Sequence, residues 1–515
     1  MRNFILLFII GLSTLIYSCR SDFEFERSAG GLKFSKETVY LDTVFTNIGS
    51  STYTLKVYNR SDKDIRIPTI QLGRGQDSKY RITIDGMQGN NGKSFTDVEM
   101  LAKDSLFIFI ETTASITDAN PTDFLYTDQI QFDSGANQQT VELVTLVQDA
   151  VFLYPKQLTS DTYESILING EETYGFVLDE DDPVNGNEYE FTDEKPYVIY
   201  GFAAVASGKT LNIAPGARIH CHADSGIIVD DGASINAIGE HSVDPLVMEN
   251  QIIFEGDRLE PGFADTPGQW IGILLTPGST GNFKNTTIEN AVVGLLIDSN
   301  LGTVNITDTQ IYDCANYGIL AREATIVGRN VVINSAGQAT FAGTLGGSYD
   351  FRHCTFNNNW SSSQQVAVLL NNYDGEPGDE SIHPLTHAYF ANCIIFGSNQ
   401  VELLLDKAGG ADDWPTEPIF HKCQIRFNNT NNQFTGLAEY QFLNDASEIL
   451  KNGNPRFFNA NRNDLRISLE SDAAASNPNF QGDPAITAEV PADITGLDRA
   501  GIPDLGAYKA VPEED

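Results

Sequence analysis

Between residues 31 and 150 the apolar positions fall in short alternating runs. Val39-Tyr40-Leu41, Tyr53-Thr54-Leu55-Lys56-Val57-Tyr58 and Ser105-Leu106-Phe107-Ile108-Phe109-Ile110 alternate or are rich in β-branched and aromatic residues. That is the signature of strands with one buried face. Turn clusters at Asn59-Arg60-Ser61-Asp62 and Asp133-Ser134-Gly135 separate such runs. Several short strands at this spacing predict an immunoglobulin-like β-sandwich. The segment holds no cysteine pair, so it is not the disulfide-pinned kind.

From about residue 196 the pattern becomes a repeat. An apolar residue is followed by another five positions later and by Asn, Asp or Gly seven positions later. The frame fits Phe283/Ile288/Asn290, Ile306/Ile311/Asp313, Val327/Val332/Asn334, Phe351/Phe356/Asn358 and Phe390/Ile395/Gly397. Phe420/Ile425 continues it, with its Asn one place late at Asn428. The starts lie 23, 21, 24, 39 and 30 residues apart. A second phase runs through Gly272-Ile273, Gly294-Leu295 and Gly318-Ile319, and upstream Ile213/Gly216/Ile219 returns as Val229/Gly232/Ile235.

A period in the low twenties with strand composition predicts a parallel β-helix, three short strands and three turns per coil. A leucine-rich repeat would need a helical segment that is missing. The two long steps predict loops inserted at one corner, residues 361–387 and 398–418, decorating one face. Cys354, Cys393 and Cys423 share the fourth slot, where earlier coils have Thr286, Thr309 and Asn330. Equal slots stack, so a buried ladder of reduced thiols is expected.

Certain motifs resemble known families. Leu41-Asp42-Thr43-Val44-Phe45-Thr46-Asn47-Ile48-Gly49 with Leu55-Lys56-Val57-Tyr58-Asn59 is similar to the immunoglobulin-like modules of bacterial surface and cilium-associated proteins, which serve as spacers or adhesive units. Leu211-Asn212-Ile213-Ala214-Pro215-Gly216-Ala217-Arg218-Ile219, Asn454-Pro455-Arg456-Phe457-Phe458-Asn459, Asp464-Leu465-Arg466, Asp493-Ile494-Thr495-Gly496 and Pro503-Asp504-Leu505-Gly506-Ala507-Tyr508 resemble right-handed parallel β-helix proteins of the pectate-lyase-like superfamily. The Pro-Asp-Leu-Gly-Ala-Tyr ending is similar to that of their surface-anchored bacterial members. This resemblance implies a fold and no activity, since the superfold hosts lyases, hydrolases, adhesins and inert scaffolds. The expected architecture is therefore all-β: a β-sandwich, then a right-handed parallel β-helix with a C-terminal cap.

The N-terminus adds a location. Arg2 precedes an apolar stretch, Phe4 to Ile16, too short to span a bilayer with ease. It ends in Ile16-Tyr17-Ser18-Cys19, which resembles a bacterial lipobox. The resemblance implies cleavage after Ser18 and acylation, palmitate among the chains, at Cys19. Several acyl chains anchor stably where one is marginal. The following Arg20-Ser21-Asp22-Phe23-Glu24-Phe25-Glu26 resembles the signal that sends Bacteroidota lipoproteins to the outer face of the outer membrane. The expected domains are a signal peptide 1–18, an acidic tether 19–30, the sandwich 31–150, a linker and N-terminal cap 151–195, the β-helix 196–455 and a cap segment 456–515.

Charge narrows the partners. With 32 Lys+Arg against 70 Asp+Glu the 515-residue chain carries −38. No basic run exists, so nucleic acid is excluded as a partner. A β-helix lyase needs carboxylates around Ca²⁺ with a cationic base, and a polygalacturonase-type enzyme needs three aspartates with His and Arg-x-Lys; neither set is evident. Asp230-Asp231 before Gly232 reads as a turn. His220 and His222 flank Cys221 and share a strand face, a metal pair or a stacked pair. His383 and His387 are separated by Pro384 and read as loop residues. Phe254 to Glu260, with Asp265 and Gly268-Gln269-Trp270, either binds a sugar or holds a loop through Arg258. Neither a catalytic residue, a metal nor a cofactor is assigned. The inserted loops carry the candidate binding residues Trp360, Tyr373, Asp374, His383, His387 and Trp414. The expected function is a non-catalytic surface lipoprotein that binds a protein partner of an outer-membrane complex, or a glycan; the alternative is a polysaccharide lyase or glycosidase.

Overall fold

The computed structural model describes residues 24–513 apart from 169, 245–246, 301, 363, 376–379, 411–412 and 415–418. The expected anchor at Cys19 and the expected signal peptide lie outside the described residues. The chain divides into two compact units, Met1–Asp149 and Ala150–Asp515. No helix among the described residues is long and apolar enough to cross a membrane.

The first unit is an immunoglobulin-like sandwich. One sheet joins Glu26–Arg27, Ile65–Leu72, Leu125–Phe132, Gln139–Gln148 and Thr38–Phe45, with Ser94–Met100 on Ile65–Leu72; the other joins Lys33–Phe34, Tyr53–Tyr58, Ser105–Thr112 and Tyr80–Ile84. The predicted alternation is realised: Leu106, Ile108 and Ile110 face the core while Phe107 and Phe109 face out. Buried Tyr80 donates its hydroxyl proton to the Tyr126 carbonyl at 2.8 Å, as a polar tip in a core must.

The second unit is a parallel β-helix of three sheets with 11, 10 and 9 strands, in the right-handed sense such crossovers take. A typical coil runs Gln310–Cys314 in the first sheet, Tyr317–Arg322 in the second and Thr325–Arg329 in the third, then returns to the first at Val332–Ala336. The interior is a continuous column of Ile, Val, Leu and Phe. Residues 151–195 are not a separate linker. Val151–Leu153, Glu171–Val177 and Glu190–Phe191 are the first rung of the three sheets.

Register corrects the repeat frame at one coil. Phe283 pairs with Ile306, Ile306 with Gly328 and Gly328 with Phe351. The core slot in that coil is therefore Gly328, not Val327, and the steps become 23, 22 and 23. Gly328 holds the slot because the Phe351 ring fills it: a Cβ there would lie 2.2 Å from Phe351 Cδ1. The repeated Gly272, Gly294 and Gly318 have a different cause. Each sits where a Cβ would strike a carbonyl of the next coil, Val293 O at 1.8 Å for Gly272. Upstream, Ile213/Gly216/Ile219 and Val229/Gly232/Ile235 are two different corners, third sheet to first and second to third, rather than stacked coils, since Leu211, not Ile219, pairs with Ile235.

At the corner from third sheet to first, a non-glycine residue takes the left-handed conformation in coil after coil. Asn285, Asp308, Asn330, His353, Asn392 and Lys422 have φ between 44° and 52°. Asn and Asp tolerate this conformation best, and three of the six are Asn. The next position is the thiol slot. Cys354, Cys393 and Cys423 are unpaired by disulfide and fully buried, and Cys354 N–H points at Cys393 Sγ at 3.4 Å. Each Sγ lies 3.3–3.4 Å from the carbonyl two residues back, where the Thr309 hydroxyl donates to the equivalent carbonyl of its coil at 2.8 Å. Burial pushes the Cys354 and Cys393 thiols well above the usual range, so they pack and do not react. Val331, not Asn330, occupies the slot in the shifted coil.

The end of the column is closed by residues 434–443. Phe434, Tyr440, Phe442 and Leu443 pack on the core, and Leu405 N–H donates to the Tyr440 hydroxyl at 2.7 Å. The expected cap, 456–515, does something else. It runs back along the outside of the first sheet as a strap. Leu465, Ile494, Ala507 and Tyr508 cover Tyr312 and Val332, while Leu505 and Phe480 cover Ile394.

Candidate functional site

The inserted loops occupy two corners, not one face. The described residues of 359–365 and 398–402 lie at the corner from first sheet to second, and 426–434 leave the first sheet after the next strand, Cys423–Ile425. The described residues of 372–384 and 407–419 lie at the corner from second sheet to third.

The six predicted binding residues divide accordingly. Trp360 belongs to the first corner and is half-buried; its carbonyl accepts from Gln365 Nε2 and Ser398 Oγ. Tyr373, Asp374, His383 and Trp414 belong to the second. Tyr373 donates its hydroxyl to Asp406 Oδ2 at 3.0 Å, and that bond holds its pKa up. Asp374 is exposed at a two-strand hairpin, paired with Ser381. His383 Nδ1 lies 3.8 Å from Glu323 Oε2. His387 is exposed on Leu385–Ala391, its ring 6.2 Å from that of Tyr389. Trp414 is no surface contact: it is 6% exposed and packs into the β-helix core, anchoring its loop. The loops are clamped by Asn372, fully buried, which donates to Ala408 O and Asp413 O and accepts from Ala408 N–H.

The first corner forms an open cleft of about 480 Å³. Gln364, Gln365, Asn399, Gln400 and Asn428 line it, with Phe434 among the apolar residues. Asn399 Nδ2 donates to Ser362 O and Gln365 O, and Asn428 Nδ2 to Gln400 Oε1, so neighbouring coils brace one another. Below it Glu402 folds into the corner beside Gly397, where a Cβ would lie 2.3 Å from its Oε1. Asn399 N–H donates to that oxygen at 2.6 Å. Burial pushes the Glu402 carboxyl up to about 8, so it is protonated at neutral pH.

A second titratable set lies on the outer face of the first sheet. His220 pairs with Glu255 and Glu289 with Tyr312, and the same register carries Glu255 against Glu289. Burial raises Glu255 to about 7; burial and then the Glu255 and Asp313 charges raise Glu289 to about 8; burial raises Asp313 to about 6. His220 Nδ1 is 3.4 Å from Glu255 Oε1 and His222 Nδ1 is 2.7 Å from Asp257 Oδ2, so each histidine meets its own carboxylate. Among the described residues no group of three or more His, Cys, Asp or Glu is arranged to hold a metal ion. In the 254–270 segment Arg258 lies over Phe263 and pairs with Glu260, and Gln269 Nε2 donates to Phe263 O and Thr266 O, holding the loop.

These shifts predict an unusual stability profile. Carboxyls whose folded pKa is raised stabilise the fold when protonated, and that contribution is lost as pH rises through their folded values, here about 6 to 8. His220 works the other way: burial lowers it to about 4, so stability is lost as pH falls below the ordinary histidine value. Buried His353 behaves likewise. Between pH 8.5 and 6.5 only the carboxyls act. The melting temperature is expected to rise across that interval on acidification, by an amount on the order of 1–3 kcal/mol in stability, and to rise less steeply below it, where His220 and His353 oppose the carboxyls. Glu289→Gln with Glu402→Gln should flatten the rise in calorimetry; a flat profile in the unsubstituted protein would refute the assignment.

One feature escaped the sequence. On the outer face of the third sheet Asn212, Asn236, Asn282 and Asn305 stack, each Nδ2 donating to the Oδ1 of the coil before at 2.9–3.2 Å, the first to Glu190. The signal was present as Leu211-Asn212-Ile213, Ile235-Asn236-Ala237, Gly281-Asn282-Phe283 and Val304-Asn305-Ile306.

No family model matches the chain, and no curated protein does. Solved structures with a local likeness include the Escherichia coli chaperone DraB, at 14% identity over 24% of this chain and 57% of that one, TM-score 0.16. A family 123 glycoside hydrolase from Clostridium perfringens matches at 7% identity over 24% of this chain and 30% of that one, TM-score 0.17. PapD-like domain 7 of human CEP192 matches at 9% identity over 24% and 87%, TM-score 0.15. Likeness at this level assigns no activity; the chain spans about half of DraB and under a third of the hydrolase.

Proposed function

We propose that this chain is a Bacteroidota-type lipoprotein, anchored through Cys19 to the outer membrane, facing outward, and working by binding rather than catalysis. Its partner is a protein of an outer-membrane complex or a glycan. The observation that carries the reading is the placing of the inserted loops. They crowd onto the last coils, at two adjoining corners, and are held there by buried clamps such as Asn372 and Trp414. Loops that only covered the core would not need so much internal bracing, whereas recognition loops gain from being preorganised. The charge of −38 sets the partner apart from nucleic acid.

The test has two parts. Cys19→Ala should release the protein from membranes, and protease added to intact cells should remove the native form. Replacing the hairpin tip 375–380 with two glycines keeps Asn372 and Tyr373, so folding and anchoring should survive while cross-linked partner recovery falls roughly tenfold or more. Unchanged recovery would end the loop reading, and full protection in intact cells would end the outward orientation. The alternative, a polysaccharide lyase or glycosidase, would draw on Glu255 and Glu289, two stacked carboxyls with raised pKa values. Release of reducing ends from a glycan, lost in Glu289→Gln, would establish that reading instead.

A further inference from the structure

We infer that the cleft at the first corner binds an uncharged, hydroxyl-rich chain: a neutral oligosaccharide. This rests on the binding reading above and names a ligand class for one of its two corners. The cleft, about 480 Å³, is of the size that ligand sites take. Its chemistry is selective. Eight of the 13 lining residues are Asn or Gln, and none is Asp, Glu, Lys or Arg, in a chain that is 20% charged. A side-chain amide offers two donors and an acceptor oxygen without net charge. A sugar hydroxyl is likewise donor and acceptor at once, so amides and hydroxyls pair in either direction. An acidic polymer would find no cation here and would meet the repulsion of the whole chain. An apolar ligand would strip water from amides and leave them unpaired.

The amides divide into builders and presenters. Gln365, Asn399 and Asn428 spend donors on the loop walls. Gln364, Asn431 and Gln433 are exposed, and their side chains make no hydrogen bond to a described residue. They stand open to a ligand. Gln365 lines the cleft from below, 1% exposed, its amide nitrogen fixed by Trp360 O and Ser398 Oγ. Phe434 completes the set. It lines the cleft half-buried, braced by Phe427 at 5.3 Å and Tyr440 at 4.9 Å, a rigid apolar ring of the kind on which the C–H face of a sugar rests.

Native gel electrophoresis of the detergent-solubilised full chain tests this directly. Gels are cast with the neutral polymers xyloglucan, mannan or starch, or with the anionic polymers polygalacturonate or alginate. At least one neutral polymer should slow migration, and no anionic one should. The Gln364→Ala, Asn431→Ala double variant should bind that polymer roughly tenfold or more weakly. Its melting temperature should not change, because neither side chain bonds to a described residue. Free migration in every neutral gel, retardation by an anionic polymer, or undiminished binding by the double variant would each overturn the proposal. The hairpin of Tyr373–Asp374 with Ser381–Ile382, whose connection 375–380 is replaced, lies at the other corner. Partner recovery after its replacement therefore reports on the general binding reading whatever the gels show.

Discussion

Phe390→Ala is expected to lower the stability of the β-helix by about 3–5 kcal/mol, among the largest single-residue losses the chain can show. Phe390 is fully buried in the third sheet, on the strand between the two long insertions. Its ring is stacked 5.3 Å from Phe351 and 5.0 Å from Phe420, both at 25°, and meets Phe356 edge-on at 5.9 Å. Phe420 in turn stacks on Phe442 of the end plug at 5.0 Å. The ladder thus couples the body of the column to its closure. In a solenoid each coil is stabilised chiefly by its neighbours, so a cavity here weakens the hold on every coil beyond it. Denaturant unfolding should show the β-helix transition moved to lower concentration, with the last coils melting first in hydrogen exchange. Phe107→Ala, at a side chain 40% exposed on the sandwich, is the control and should stay within about 0.5 kcal/mol. A loss below about 1 kcal/mol for Phe390→Ala would mean that the rings do not form a ladder.

What was legible in the sequence follows from what a repeat can express. Interior slots are written once per coil, so Phe283, Ile306, Phe351, Phe390 and Phe420 announced themselves, and the three cysteines with them. The frame slipped only where a coil donates space instead of a side chain. Gly328 is invisible to an apolar template because the Phe351 ring from the next coil fills its place. The left-handed residue that follows is correspondingly Ser335 rather than Asn334. Asn334 faces outward, accepting from Asn357 and donating to Asn463 of the strap. The candidate site was legible in part. Loop positions were set by the long steps, but which corner each loop occupies depends on how many strands precede it in its coil. Tyr373 and Asp374 form one short strand of a hairpin and His383 lies beside it, whereas His387, read as a loop residue, lies on the strand Leu385–Ala391, and Trp414 is drawn into the core because an inserted loop needs an apolar anchor of its own. The amide cleft could not be read at all. Its walls come from three successive coils, and Gln364, Gln400 and Asn428 are ordinary loop residues until stacking brings them together.

Arg499→Ala should release the C-terminal strap while leaving the coils folded. Arg499 is fully buried. Burial lowers its pKa to about 10, offset by the charges of Asp493 and Asp504, so it is still a cation at neutral pH. Its Nη2 donates to Asn330 Oδ1 and Ala507 O at 2.9 Å and to Gly506 O at 3.2 Å. One guanidinium therefore ties the strap to the left-handed corner of a coil and faces two buried carboxylates. Those carboxylates are fully engaged with the strap backbone: Asp493 accepts from Leu497 and Lys509 N–H, and Asp504 from Ala475 and Ala510 N–H. Removing the cation leaves both charges buried and uncompensated, a loss of about 3–5 kcal/mol. The loss falls on the strap and not on the column, because the column's contacts run between coils. Local opening that costs about 3 kcal/mol less exposes its amides roughly a hundredfold more often. Hydrogen exchange in 484–510 should accelerate by that factor while the strands from Thr286 to Gly397 keep their protection, and trypsin should cut at Arg462 and Arg466 before any site in the coils. His353 gives an internal check. It lies under the same strap, its Nδ1–H donating to Gly506 O and its Nε2 held by Thr487 and Asn392. Burial keeps it neutral far below its ordinary range. Once the strap lifts, the ring meets water and its titration should return toward that of a free histidine, which NMR would record. If exchange instead rises equally through the coils, or His353 stays untitrated, the strap and the column unfold as one unit and Arg499 is not the tie between them.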